Sequence, residues 1–204
     1  MTAPLLLFAH GAGLGSSSPW MQRWADYLAP LGIVQTFDYP YMRAGKKRPD
    51  RPAVLLEAHR EALEAAFDRH GKRPVVLIGK SMGSRMGCHL ATEPDLAEAI
   101  RAVVCLGYPL VGLGRTRKVR DEVLLALRHP ILFVQGTRDR LCPLDLLGEV
   151  RDRMQAPNDL FLVEGGDHSL HLRKRDLAER GQDQQAADRE AVEAIAAFVR
   201  SHTG

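Results

Sequence analysis

A serine with a glycine two residues to either side, followed later by an aspartate and a histidine, is the set of side chains best suited to chemistry in this sequence. The serine is Ser81, in VVLIGKSMGSRMG, residues 75–87. Gly79-Lys80-Ser81-Met82-Gly83 fits the pattern G-x-S-x-G, after an apolar run and before a helical segment. A serine on a sharp strand-to-helix turn has strained backbone dihedrals, and the residues two before and two after it crowd one another, so both must be small. A helix starting at about Met82 directs its free N-terminal N–H groups at the serine oxygen. Those donors and the helix dipole favour developing negative charge. The alternative is a structural βα turn without chemistry.

A serine hydroxyl needs a base, and the base needs a group to orient it. On turns of this kind the acid and then the base follow the serine in the chain. Asp139 stands in ILFVQGTRDRLCP, just past an apolar run, and His168 in LFLVEGGDHSL, just past the last one. Asp167 adjoins His168 and competes for the acid role, but sequence neighbours point apart, so it is expected to stabilise the loop or face solvent. Asp145 suits the N-terminus of the next helix. His171 is the alternative base, three residues further from the strand end. His59, His70, His89, His129 and His202 fall on helices or connecting turns and read as structural.

A second candidate lies at the start of the chain, in LLLFAHGAGLGSSS, residues 5–18. Such a glycine loop after a strand either cradles the phosphates of a dinucleotide or supplies a backbone N–H to an oxyanion. Gly11, Gly13 and the later acid Asp38 favour the dinucleotide on spacing. The third glycine of G-x-G-x-x-G would fall at position 16, however, and that residue is Ser16. His10 either supports the turn or merely ends the strand.

These residues need a frame that gathers them at one edge. Apolar runs bounded by Gly and Pro at residues 4–9, 33–37, 74–78, 102–106, 130–135 and 160–163 read as buried parallel strands. Helical spacing between them groups Leu56, Leu63, Ala66 and Phe67 in residues 53–69, and Val119, Val123, Leu124 and Leu127 in residues 118–128. It also groups Val192, Ile195, Ala196 and Val199 in residues 186–200. The alternation predicts an α/β fold, a mainly parallel sheet of about six strands with helices on both faces. Residues 1–204 show no composition break and are expected to form one domain. Loops after strands gather at the C-terminal edge of such a sheet, so Ser81, Asp139, His168 and the long loops 38–52 and 165–185 are all expected there.

Composition narrows the classes. The 204 residues are 45% hydrophobic and 26% charged, as in an ordinary globular protein, and the net charge of +3 gives no reason to expect nucleic acid. No apolar run reaches the roughly 20 residues that span a bilayer, and the first strand lacks the basic start of a signal peptide. A cytoplasmic protein without membrane attachment is expected. Cys88, Cys105 and Cys142 are an odd set with no CxxC spacing, which predicts buried free thiols rather than a disulfide framework or zinc site. No cofactor and no metal is expected.

Together, His10-Gly11-Ala12-Gly13, Gly79-Lys80-Ser81-Met82-Gly83-Ser84-Arg85, Gly136-Thr137-Arg138-Asp139 and Gly166-Asp167-His168-Ser169 resemble an α/β-hydrolase. More narrowly they resemble the small capless, dienelactone-hydrolase-like branch, and G-K-S-M-G-S-R is similar to the KANSL/Tex-type hydrolase-like group. The resemblance implies Ser81 as nucleophile, His168 as general base and then acid, and Asp139 as its orienter. It implies an oxyanion hole formed by the backbone N–H of Met82 and one from the first loop, Ala12 or else Gly13. His10, Gly11, Gly13, Lys80 and Arg85 are candidate substrate contacts. Dienelactone hydrolases proper use a cysteine where this chain has Ser81, so dienelactone itself is not implied. The segment after the fourth strand, GYPLVGLGRT, is too short for a helical cap.

The reading is a serine hydrolase acting on a small-molecule ester or thioester. The basic clusters Arg43, Lys46, Lys47, Arg48 and Arg51, then Arg115, Arg117, Lys118 and Arg120, then Arg173, Lys174 and Arg175 would favour an anionic substrate, or only a solvated rim. Two other classes remain: a hydrolase-like scaffold that binds a protein, and a dinucleotide enzyme.

Overall fold

Six apolar segments become strands because each is short, rich in branched side chains and bounded by Gly or Pro. The computed structural model describes residues 2–112 and 118–204. In chain order these form β1 (Leu5–Ala9), α1 (Pro19–Leu28), β2 (Ile33–Phe37), α2 (Pro40–Arg43), α3 (Pro52–His70), β3 (Val75–Lys80), α4 (Met82–Leu90) and β4 (Ile100–Leu106). There follow α5 (Glu122–Ala126), β5 (Ile131–Gly136), α6 (Leu144–Arg153), β6 (Asn158–Val163), α7 (Lys174–Glu179) and α8 (Gln184–Thr203). The strands form one parallel sheet in the order β2-β1-β3-β4-β5-β6.

Side chains alternate across that sheet, and helices cover both faces. Leu5, Leu7, Val75, Leu77, Val103 and Cys105 pack with residues of α3, α4 and α6 such as Leu63, Cys88 and Leu147. Leu6, Phe8, Val76, Ile78, Val104 and Leu106 face the other way, onto Trp20, Trp24 and Leu28 of α1 and Ile195, Phe198 and Val199 of α8. No helix of the described residues is long and apolar enough to cross a membrane. Cys88, Cys105 and Cys142 are free and buried.

Three expectations change. The strands at 33–37 and 160–163, expected to be buried, are the edge strands β2 and β6 and are only part-buried, because each has a neighbour on one side alone. The helix expected over residues 118–128 is only Glu122–Ala126, because Val119 instead bridges Val111 as an antiparallel pair. Arg115 and Arg117 lie outside the described residues. The loops 38–52 and 165–185 contain short helices, α2 and α7, which polar sequence with little apolar periodicity did not reveal. Among the described residues between β4 and α5, no cap helix is inserted.

The chain leaves β1 for the edge strand β2 and returns to β3 on the other side of β1. Crossovers therefore part between β1 and β3, and ligands bind at the C-terminal ends of strands at such a switch point. The turn from β3 into α4 is very tight. A Cβ on Gly79 would overlap the backbone of Gly83 and Ser84, and one on Gly83 would overlap the carbonyls of Ala9 and His10. The first glycine is thus squeezed by the turn itself, and the second by the neighbouring strand β1. Ser81, between them, takes φ 52°.

Beneath the first loop lies a small cluster of Ala9, Tyr39, Tyr41, Leu55, Ala58 and Met86. Two histidines are buried in it. The Tyr39 N–H donates to Nε2 of His10 at 3.2 Å, which fixes the proton on Nδ1, and Nδ1 donates to the Gly11 carbonyl at 2.7 Å. The Tyr39 hydroxyl lies 3.2 Å from Nδ1 of His59. Burial pushes His10 below its usual range, against the pull of the Gly11 carbonyl and Asp38. Burial, the main cause, and the repulsion that a charged His10 would add push His59 down to about 3.

Two outcomes are expected. Gly79→Ala and Gly83→Ala each lower unfolding free energy in urea by at least about 2–3 kcal/mol, as overpacked backbone does. Gly11→Ala changes it by about 1 kcal/mol or less, since its Cβ would sit 3.3 Å from the Lys80 side chain. Secondly, both histidines stay neutral in the folded protein but protonate when unfolded below about pH 6.5. Stability is therefore complete above that pH and falls as pH drops from about 6.5 toward 3. His59 adds a slope approaching about 1.4 kcal/mol per pH unit in that range, His10 adds in the same direction, and His59→Gln removes the share of His59.

Candidate active site

The register of β1 on β3 pairs Ala9 with Gly79, so the chains emerging from the two strands run side by side. That brings Gly11 against Ser81, with a would-be Cβ on Gly11 only 3.4 Å from Cβ of Ser81. Ser81 is pinned by its N–H to the Leu106 carbonyl at 3.1 Å, and its own carbonyl accepts from Arg85 N–H at 3.2 Å. Its positive φ holds the side chain out of the turn at a conformational cost of roughly 1–3 kcal/mol. Met82 opens α4, where the first N–H groups have no acceptor within the helix.

Ser81 Oγ lies 2.7 Å from Nε2 of His168, and Nδ1 of His168 lies 2.6 Å from Oδ2 of Asp139. The three side chains expected to meet thus form one hydrogen-bonded chain, although they come from three separate strand ends. Asp139 is fully buried and saturated. Its Oδ2 also accepts from the Gln135 amide at 2.6 Å, and its Oδ1 from the Leu141 N–H at 2.8 Å. Burial opposes the charge on Asp139, but the His168 hydrogen bond and charge and those two donors outweigh it, and the carboxyl sits below its ordinary value.

His168 needs its loop held down. A Cβ on Gly136 would overlap the carbonyls of Gly166 and Asp167, and one on Gly107 would overlap that of His168. Three successive carbonyls of the loop are then each held by a side chain from a different element. Lys80 Nζ donates to His168 O, Trp20 Nε1 to Ser169 O at 3.0 Å, and the Gln184 amide to Leu170 O at 3.1 Å. Asp167 takes the loop-stabilising part, its Oδ1 accepting from the N–H groups of Ser169 at 2.7 Å and His171 at 3.0 Å. His171 faces Arg23 rather than Ser81. Asp145 lies in the first turn of α6.

Lys80 deserves its own account, since it is a charged group at the end of a buried strand. Burial pushes its amine down to about 8, against the attraction of Asp139 and Asp167. Its Nζ also lies 5.6 Å from the centre of the Trp20 ring.

Two cavities open at Ser81. The smaller, about 110 Å³, is lined by Gly11, Leu14, Trp20, Met21, Lys80 and His168 among others. The larger, about 330 Å³, is lined by residues that include Met82, Arg85, Pro109, Val111 and Arg120. Ala12 and Ser81 belong to both. Of the expected substrate contacts, Gly11 and Lys80 therefore face the smaller cavity and Arg85 the larger. His10 lines neither cavity: it is fully buried with both ring nitrogens used. Gly13 has φ 84° and open space about it, and it lines neither cavity. Asp38 is engaged by the loop, accepting the Ser16 N–H at 2.6 Å and packing against Gly15, which leaves the dinucleotide reading without its ribose acid. Among the described residues, no group of three or more His, Cys, Asp or Glu side chains is placed to hold a metal.

Sequence reasoning missed Gln135, Trp20, Gln184, Gly107 and Asp50 as parts of the site or its support. Gln135 and Lys80 share a legible signal, a polar residue at the last or next-to-last place of an otherwise apolar buried strand. The others are brought in by packing between distant segments.

Comparison with known proteins agrees with this architecture. Residues 2–200 match the α/β hydrolase domain family. The chain is 29% identical over 126 residues to Protein sumv-2 of Caenorhabditis elegans, covering 61% of this chain and 11% of that protein, so it spans about a tenth of that relative's length. Its fold is similar to that of dienelactone hydrolase from Anabaena variabilis, with 20% identity, a TM-score of 0.71 and coverage of 100% of this chain and 88% of the other. It is also similar to an alpha-beta serine hydrolase homologue from Coxiella burnetii, with 16% identity, a TM-score of 0.70 and coverage of 93% and 85%. The match over almost the whole chain, on this sheet order and with this tight turn after β3, makes the protein a member of the α/β-hydrolase family.

Proposed function

We propose that the protein is a serine hydrolase that cleaves a carboxylic ester or thioester through an acyl-enzyme on Ser81. The observation that carries this is the unbroken Ser81–His168–Asp139 hydrogen-bond chain, at 2.7 and 2.6 Å, on a serine with positive φ. A structural βα turn has no use for a buried, ionised carboxylate that orients a histidine onto a strained serine.

Asp139, ionised, holds the proton of His168 on Nδ1 and leaves Nε2 free to accept. Oγ of Ser81 attacks the substrate carbonyl carbon as its proton passes to Nε2. The carbonyl oxygen becomes an oxyanion facing the N–H groups of Met82 and Ala12, donors of the kind whose single loss costs about 3–4 kcal/mol of barrier. The tetrahedral adduct collapses, the bond to the leaving oxygen or sulfur breaks, and that atom takes the proton from Nε2. Water then attacks the acyl-enzyme, giving its proton to Nε2, and Ser81 leaves with that proton as the acid departs. Lys80 acts on this sequence through the backbone of His168, as a positioning residue, and also faces the smaller cavity.

A fluorophosphonate probe is expected to label Ser81, and Ser81→Ala to abolish labelling and lower ester turnover by about a thousandfold or more. Folded protein that resists every such probe would overturn the reading.

A further inference from the structure

The larger cavity beside Ser81 carries two arginines, Arg85 from the first turns of α4 and Arg120 from the segment before α5. Neither forms an ion pair among the described residues. Of the other basic residues expected at this edge, Lys118 pairs with Glu122 at 3.2 Å and Arg175 with Asp176 at 3.1 Å, while the basic residues of the loop after β2 are, like Arg85 and Arg120, in no ion pair among the described residues; what sets the two arginines apart is their place in the wall of the cavity at Ser81. The remaining walls of the cavity are largely apolar, including Pro49, Pro52, Leu55, Pro109, Val111 and Leu141. It shares Pro49, Asp50 and Pro52 with an open groove lined by Lys46, Lys47, Arg48 and Arg51, so the basic loop after β2 forms its outer rim.

We propose that the Ser81 site takes esters or thioesters that bear an oxyanion, a carboxylate or a phosphate, and that Arg85 and Arg120 bind that oxyanion in the larger cavity. This rests on the serine-hydrolase reading and names its substrate class. Guanidinium groups match such oxyanions because each presents paired donors in a plane. Two of them side by side repel when the cavity is empty, and an anion between them relieves that repulsion. Burial first and the Arg85 charge second push the Arg120 guanidinium down from its usual value. The basic rim raises the local concentration of an anion before it enters. Asp50 is the one carboxylate on the cavity wall, and its Oδ2 is buried without a hydrogen-bond partner. It forms no ion pair with either arginine, and one carboxylate against two guanidinium groups leaves the wall net positive. The smaller cavity, walled by Leu14, Trp20 and Met21, takes the short apolar part on the other side of the scissile bond.

The test compares kcat/KM for matched esters. An anionic acyl group is probed by mono-para-nitrophenyl glutarate against para-nitrophenyl valerate. An anionic leaving group is probed by para-butyryloxybenzoate and by para-butyryloxyphenyl phosphate, each against phenyl butyrate. At low salt at least one anionic ester is expected to exceed its neutral partner by about tenfold or more. Added sodium chloride should shrink that ratio, and Arg85→Gln with Arg120→Gln should bring it toward one. The two leaving-group arms separate carboxylate from phosphate. Ratios near one for every pair in the unaltered protein, with neutral esters turned over and Ser81 labelled, overturn this proposal and leave the hydrolase reading standing. A ratio that persists in the double variant overturns the assignment to these arginines. No turnover of any ester and no labelling of Ser81 overturn both. The ratio and salt response of the unaltered protein decide the substrate class even where the double variant fails to fold.

Discussion

Two glycines with no room for a side chain hold this site together. Gly79 lies against the backbone of Gly83 and Ser84, and Gly83 lies against the carbonyls at the end of β1. Only with both positions bare can β3 turn at once into α4, and only that turn gives Ser81 its φ of 52°. The same squeeze sets Ser81 beside the first loop and puts the start of α4 next to its oxygen. The rest of the edge is built around that fixed point.

The histidine reaches the serine by a comparable device. Glycines at the ends of β4 and β5 let the loop after β6 settle onto the sheet, where any Cβ would meet its carbonyls. Lys80, Trp20 and Gln184 then hold three consecutive carbonyls of the loop from β3, α1 and α8. A loop fixed from three elements loses little further entropy when a substrate arrives, which is what a preorganised site requires. Lys80 links the two halves, since it precedes Ser81 in the chain and grips the backbone of His168.

Asp139 and His10 keep or lose their charge according to the hydrogen-bond partners they find in the interior. Asp139 keeps its charge in the interior because His168, Gln135 and Leu141 supply donors. His10 gives up its charge because the Tyr39 N–H needs an acceptor at Nε2. Its 3.6 Å approach to Asp38 is therefore not an ion pair, and burial prevails over the carboxylate's attraction. The cavity beside Ser81 holds exceptions: Asp50, whose Oδ2 is buried without a hydrogen-bond partner, and Arg85 and Arg120, which form no ion pair among the described residues.

By itself the sequence determined the local and periodic features. Six apolar runs gave six parallel strands to within about two residues; burial on both faces restricts composition in the four inner strands, while the edge strands β2 and β6 are only part-buried. G-x-S-x-G marked Ser81, and chain order with strand ends singled out Asp139 and His168, because the C-terminal edge of a parallel sheet collects the residues that follow its strands. The tertiary structure decided what depends on contact between distant segments. It turned Gly83 toward β1 rather than toward Gly79, buried His10 as a brace, and gave Asp38 to the loop. It shortened the helix around Val123 once Val119 paired with Val111. It also brought Arg120 to Arg85 from a different part of the chain. Periodicity and motif report how a segment meets its own neighbours, and only packing reports which distant charges share a cavity.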